Sequence, residues 1–247
     1  MPMDDKAMPM VEHLEELRWR IMIAVSAIVV GAAGAYFLAN PILTVLLLPS
    51  GGLHLKAFHL LDGFLIKWRI ALSMGVIVAF PVWAYEVYRF INPGLLAHER
   101  KMLFPALGGS LVLFILGACF GYSLLWGMIR VLVHLFPPQV EYLPSAEDYL
   151  SFVTFFLVVC GLAFQLPTVV IILVHLHLVT SALLRQQRRI AYFALFAFAE
   201  LITPVSDPIV APLTVMAPLL VLYELSIGLT RRIERRRSQA GQHLAPG

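Results

Sequence analysis

From Met102 to Ile129 the chain carries no charged side chain. A helix needs about 20 apolar residues to cross a hydrocarbon core roughly 30 Å thick, so this run alone reads as a membrane span. Three more runs share the pattern. Ile21–Leu38 is uninterrupted, and Asn40-Pro41 is expected to end it. Phe64–Tyr85 follows, with Lys67 and Arg69 near its start reaching for the headgroups. Pro81 predicts a kink there, with a freed carbonyl that neighbouring helices must satisfy. The fourth run starts near Tyr149 and reaches toward Leu178, broken at Pro167. Ser145 with Asp148 three residues on reads as its N-cap.

The last third is less regular. Ile190–Ala199 and Pro208–Tyr223 are short and rich in nearby proline, so they either thin the bilayer locally or form a re-entrant hairpin. Two short crossings are the favoured reading. The expected fold is therefore an all-α polytopic membrane protein with six transmembrane helices, the last two short. Their approximate ranges are 18–39, 64–87, 102–128, 149–178, 188–203 and 209–229. Residues 1–229 form one membrane domain, and 230–247 a basic tail expected to lack fixed structure. Most of the 18 Lys and Arg residues then fall on one side, including Arg18, Arg20, Arg89, Arg100, Lys101 and the Arg231–Arg237 group. The positive-inside rule puts both termini in the cytoplasm.

Composition agrees: 60% of residues are hydrophobic, 13% are charged, and the mean hydropathy is +0.84. The net charge of +3 is explained by topology rather than by nucleic acid, because the basic residues sit between apolar runs and in the tail. Cys119 and Cys160 lie inside apolar runs and read as small buried residues. An acidic N-terminus before a long run argues against a cleaved signal peptide.

Chemistry is sparse. His98-Glu99 opens like H-E-x-x-H, but residue 102 is Met. The aspartates lie near run ends or in connections, and Ser26, Ser73 and Ser110 have no nearby base, so they read as helix-packing residues. No phosphate-binding loop is present. The chain does not read as an enzyme, and no cofactor is implied. A proton-coupled secondary transporter of a small solute is the rival reading; it calls for ionisable groups at the midplane and often a repeat. Gln165 and Glu200 are the polar positions at membrane depth, and no repeat is evident.

Val11–Arg20 stands apart. Leu14, Leu17 and Ile21 share a helical spacing, Glu16 and Arg20 form an i,i+4 pair, and Glu15 and Arg18 an i,i+3 pair. One reading is a solvated juxtamembrane helix whose charges pair with each other. The other is a carboxylate receptor for a basic partner, since carboxylates beside anionic lipid are unfavourable until a cation arrives.

The segments H-L-E-E-L-R-W-R (13–20), F-P-V-W-A-Y-E-V-Y-R-F-I-N-P-G-L-L-A-H-E-R-K (80–101), G-A-C-F-G-Y (117–122), Y-L-S-F (149–152), F-Q-L-P (164–167), T-P-V-S-D (203–207) and Y-E (223–224) occur in that order. Together they resemble TatC, the multispanning core of the twin-arginine protein translocase, across most of the chain. The resemblance implies a receptor for signal peptides with consecutive arginines, working with TatA-like and TatB-like single-span subunits and other copies of itself in the inner membrane, driven by the proton motive force. Glu16 and Glu99 hold the matching acidic positions, with His13, Arg18, Phe90, Pro93 and Gly94 around them. Pro49, Phe64 and Asp207 fall in the external loop and turn. Two guanidiniums on two carboxylates favour arginine over lysine. Gln165 stands where the family commonly has an acid, and Glu200 is expected to supply the intramembrane partner contact that Gln165 only partly provides. T-P-V-S-D stands where T-P-P-D is more usual.

Overall fold

The computed structural model describes residues 10–92, 103–134, 143–176, 178–203 and 210–243. Among them there are no strands, only helices: α1 Met10–Phe37, α2 Ala39–Leu47, α3 Asp62–Val78, α4 Phe80–Ile91, α5 Leu103–His134, α6 Ala146–Ala163, α7 Leu166–His175, α8 Ser181–Gln186, α9 Arg188–Ile202 and α10 Val210–His243. Four spans are long and apolar enough to cross a bilayer: Val11–Phe37, Pro105–Val131, Ala146–His175 and Pro212–Arg235. Counting the bent pair α3–α4 as one span brings the total to 5. Broad apolar surfaces are left outside the fold, such as Val29, Val30 and Phe37 on α1, as a protein solvated by lipid requires.

Several boundaries differ from the expected ones. Asn40-Pro41 does not end a helix but opens one: α1 stops at Phe37 and α2 starts two residues later. Pro41 is tolerated in that first turn because the N–H groups there have no intrahelical acceptor. Tyr122 Oη and Tyr149 Oη donate to the carbonyls of Val45 and Leu46 at 2.8 and 3.0 Å, tying the end of α2 to α5 and α6. The following 3-10 turn buries Pro49 and ends on Gly51 and Gly52, whose φ of 64° and 90° suit residues without a Cβ. The second crossing, expected to end at residue 87, runs on as helix to Ile91. Helix α10 carries on through Arg231–Arg237 to His243, a stretch rich in Arg, Glu and Gln and without proline. Cys160 is buried, whereas Cys119 is exposed on α5.

Pro81 and Pro167 act as expected. The axis bends by 49° between α3 and α4, two residues before Pro81, and Trp83 Nε1 donates to the Val76 carbonyl at 3.1 Å at the break. The α6–α7 break falls at Phe164-Gln165, just before Pro167. Ser145 caps α6 by accepting the Asp148 N–H at 3.4 Å.

Helix α6 is the centre of the bundle. Its Val153 and Phe156 are fully buried with Ile70 of α3, Leu125 of α5 and Leu219 of α10. Small residues set the helix spacing. At Gly75 an added Cβ would lie 2.7 Å from Ala32 N and Ile28 O of α1, so α1 and α3 meet backbone to backbone. A Cβ added at Gly117 of α5 would lie 2.6 Å from Cys160 O of α6. The last helices are tied by polar contacts: Glu224 of α10 accepts from Arg188 and Tyr192, both at 2.6 Å. Glu234 of α10 accepts from the Ser181 N–H at 2.8 Å.

Candidate functional site

The α1–α3 crossing lays the N-terminal half of α1 against α4. Helical spacing then places His13, Glu16 and Arg20 on the face toward Glu86 and Phe90. Arg20 Nη1 donates to Glu86 Oε2 at 3.1 Å, and its Nε and Nη2 both reach Glu16 Oε1, the Nε at 3.0 Å. Arg20 and Glu86 are largely buried, with side-chain exposures of 12% and 8%. One guanidinium thus bridges two carboxylates, leaving the group one negative charge in excess. The His13 ring stacks on Phe90 at 4.3 Å, with 13° between the planes.

Glu16 Oε2 is the informative atom. It is buried, and among the described residues it has no hydrogen-bond partner. His13 Nδ1 is the nearest ionisable group, at 3.8 Å. A buried carboxylate oxygen left unpaired is costly, on the order of 1–3 kcal/mol or more. A donor brought by a second molecule would remove that cost.

The Glu16–Arg20 pair expected from spacing is formed, but the Glu15–Arg18 pair is not. Both residues are exposed, and among the described residues they make no ion pair. Arg18 therefore sits on the outer face of α1, away from the cradle. Pro93, Gly94 and Glu99 lie outside the described residues, as does Asp207. Pro49 is buried in the turn after α2, and Phe64 is exposed and stacked on Trp68 at 6.4 Å.

Gln165 is buried, but it is not an open contact. Ser110 Oγ donates to its Oε1 at 2.8 Å, and its Nε2 donates to the Ser110 carbonyl at 3.0 Å, closing a ring between α5 and the α6–α7 break. Glu200 is exposed near the end of α9 and makes no side-chain hydrogen bond among the described residues. The structure does not bring the two together in a hydrogen bond.

Glu86 is the site residue that sequence reasoning missed. It falls at the expected end of the second crossing, just past the apolar run that closes at Tyr85. The available signal was its spacing of four from Phe90, which places both on one face once α4 is known to continue.

The fold defines the class: a multi-pass helical membrane protein whose first two spans bring Glu16, Arg20 and Glu86 together at one end. The family model for Sec-independent protein translocase protein (TatC) matches residues 12–218. The TatC protein of Carboxydothermus hydrogenoformans is 34% identical over 235 residues, covering 94% of this chain and 96% of its own. That of Aquifex aeolicus is 34% identical over 240 residues, covering 94% and 98%. A crystal structure of the twin-arginine translocase receptor TatC is 33% identical, superimposes with a TM-score of 0.76, and covers 89% of this chain and 98% of its own. A second, in DDM, gives 0.78. The chain belongs to the TatC family.

Proposed function

We propose that this chain is the core subunit of a twin-arginine translocase and the receptor for its signal peptides. The observation that carries the receptor role is the buried, unpaired Glu16 Oε2 in an acid-rich cradle between α1 and α4. A peptide guanidinium placed there would gain charge-assisted hydrogen bonds and neutralise the excess carboxylate. His13 and Phe90 supply a stacked aromatic wall on which a planar guanidinium can also lie, a surface less suited to lysine. Glu99 is assigned to the second peptide arginine, with Pro93 and Gly94 shaping the loop that presents it, while Arg18 stays outside the cradle on the outer face of α1.

In this reading the chain makes six crossings of the inner membrane. Its fifth is α9, of 15 residues, and both termini are cytoplasmic because the basic residues gather on that side. Residues 1–229 are the membrane domain and 230–247 the basic tail. Pro49, Phe64 and Asp207 lie at the external end. The subunit works without enzymatic chemistry, alongside TatA-like and TatB-like single-span partners and other copies of itself, with the proton motive force as energy source. Glu200, exposed on the short α9, is offered to a polar position of a single-span partner, while Gln165 holds the kink.

The test is binding of a twin-arginine signal peptide and a twin-lysine control to the full chain in detergent, repeated with Glu16→Ala and Glu99→Ala. The receptor reading requires an arginine preference in the parent chain and its loss in both variants. Equal binding of the two peptides to the parent chain overturns it.

A further inference from the structure

At the other end of the α3–α4 span, the loop before α3 folds over the start of α6. Backbone hydrogen bonds set its register: Lys56 N–H donates to the Pro144 carbonyl at 3.0 Å, and Ala146 N–H to the Lys56 carbonyl at 2.9 Å. This brings His59, Asp62 and Glu147 together, one ligand-capable atom from each within 4.8 Å of the others. Asp62 is 1% exposed. Its Oδ2 accepts from the N–H groups of Phe58 and His59 at 2.7 and 3.0 Å, which fixes the carboxylate. Its Oδ1 is buried and, among the described residues, has no hydrogen-bond partner, yet lies 3.3 Å from His59 Nδ1. Arg69 Nη2 donates to Glu147 Oε1 at 3.0 Å while its Nη1 donates to Ser151 Oγ, orienting the second carboxylate from α3.

The geometry points to a divalent transition-metal site, and we propose that His59 Nδ1, Asp62 Oδ1 and a Glu147 carboxylate oxygen bind Zn²⁺. One imidazole and two carboxylates suit zinc better than the all-oxygen ions calcium and magnesium. With bonds of about 2.0–2.2 Å, tetrahedral ligand atoms stand roughly 3.4 Å apart, close to the His59–Asp62 separation. Separations of up to 4.8 Å must close by up to about 1.4 Å, a distance that side-chain rotations of His59, which is 79% exposed, and of Glu147 can supply. Two carboxylates against one guanidinium leave the gap favourable to a cation. The hydrogen bonds to Asp62 Oδ2 and Glu147 Oε1 are the outer contacts that hold metal ligands in place. A bound ion would clamp the loop to α6 and leave one coordination position for water.

The probe is Zn²⁺ alone, added to the untagged full chain in detergent after chelator treatment. The ion is counted by mass spectrometry and its affinity measured by competition with a chromophoric chelator. One tight Zn²⁺ per chain is expected, and His59→Ala and Glu147→Gln should each weaken it at least about tenfold, the scale on which even outer-shell contacts act. His54→Ala, a nearby exposed histidine, should leave it unchanged. Zn²⁺ should raise the melting temperature of the parent chain and not that of His59→Ala. These variants leave the Asp62 loop cap intact, so folding is not at stake. No tight site in the parent chain overturns the proposal, as does binding that survives both His59→Ala and Glu147→Gln.

Discussion

Replacing Gly75 by Ala adds one carbon at the point where α3 crosses α1. That Cβ would stand 2.7 Å from Ala32 N and Ile28 O and 2.8 Å from Ala32 Cβ. Carbon contacts are comfortable at about 3.5–4.0 Å, so the helices must separate by roughly 1 Å. Two of the three obstructing atoms are backbone and cannot rotate away. Overpacking of this kind costs about 1–3 kcal/mol. At about 2–4 °C per kcal/mol for a chain of this size, the melting temperature should fall by about 2–12 °C. Gly34→Ala, on the same α1 helix, is the control, because nothing lies within 4 Å of its added Cβ. It should stay within about 0.5 kcal/mol of the parent. The displaced α1 also carries Arg20 away from Glu86, so Gly75→Ala should weaken twin-arginine peptide binding while Gly34→Ala does not. Thermal melts in one detergent, read beside peptide affinity, make the comparison. If Gly75→Ala melts with the parent and with Gly34→Ala, the helices do not meet there and the reasoning is wrong.

Glu16→Gln keeps the shape of the cradle but removes the charge. Losing charge-assisted hydrogen bonds worth about 1.5–3 kcal/mol should weaken twin-arginine peptide binding about 10- to 150-fold in titration calorimetry. Arg20→Met leaves Glu16 and the buried Glu86 as like charges without a bridge, at a cost of about 3–5 kcal/mol; a second change, Glu86→Gln, should restore part of the lost melting temperature. Ser110→Ala leaves Gln165 Oε1 buried without its donor, and Gln165→Leu leaves the buried Ser110 hydroxyl without its acceptor, each at about 1–3 kcal/mol. The double variant should melt higher than the sum of the two losses predicts, and strict additivity would show that the pair is not coupled.

How much was legible in the chain varied with the range of the interaction involved. The uncharged run at 102–129, the break before Pro167, the kink near Pro81 and the Ser145 cap were all readable. Each depends on hydropathy, a missing N–H or a capping hydroxyl within a few residues, and such local rules do not need the rest of the fold. The Glu16–Arg20 pair was readable for the same reason, as an i,i+4 neighbour. Its partner Glu86 was not. Sixty-six residues separate Arg20 from Glu86, and only the close passage of α1 over Gly75 brings them within 3.1 Å. Gln165 looked like a polar group awaiting a partner helix until the fold supplied Ser110 from fifty-five residues away. Likewise His59 and Asp62 were loop residues of no evident purpose until the Lys56–Ser145 pairing set them beside Glu147. The sequence by itself determined where the chain enters lipid and which turns it breaks. The tertiary structure alone decided which charges meet, because a charge's partner depends on position in space, and helix packing sets that position.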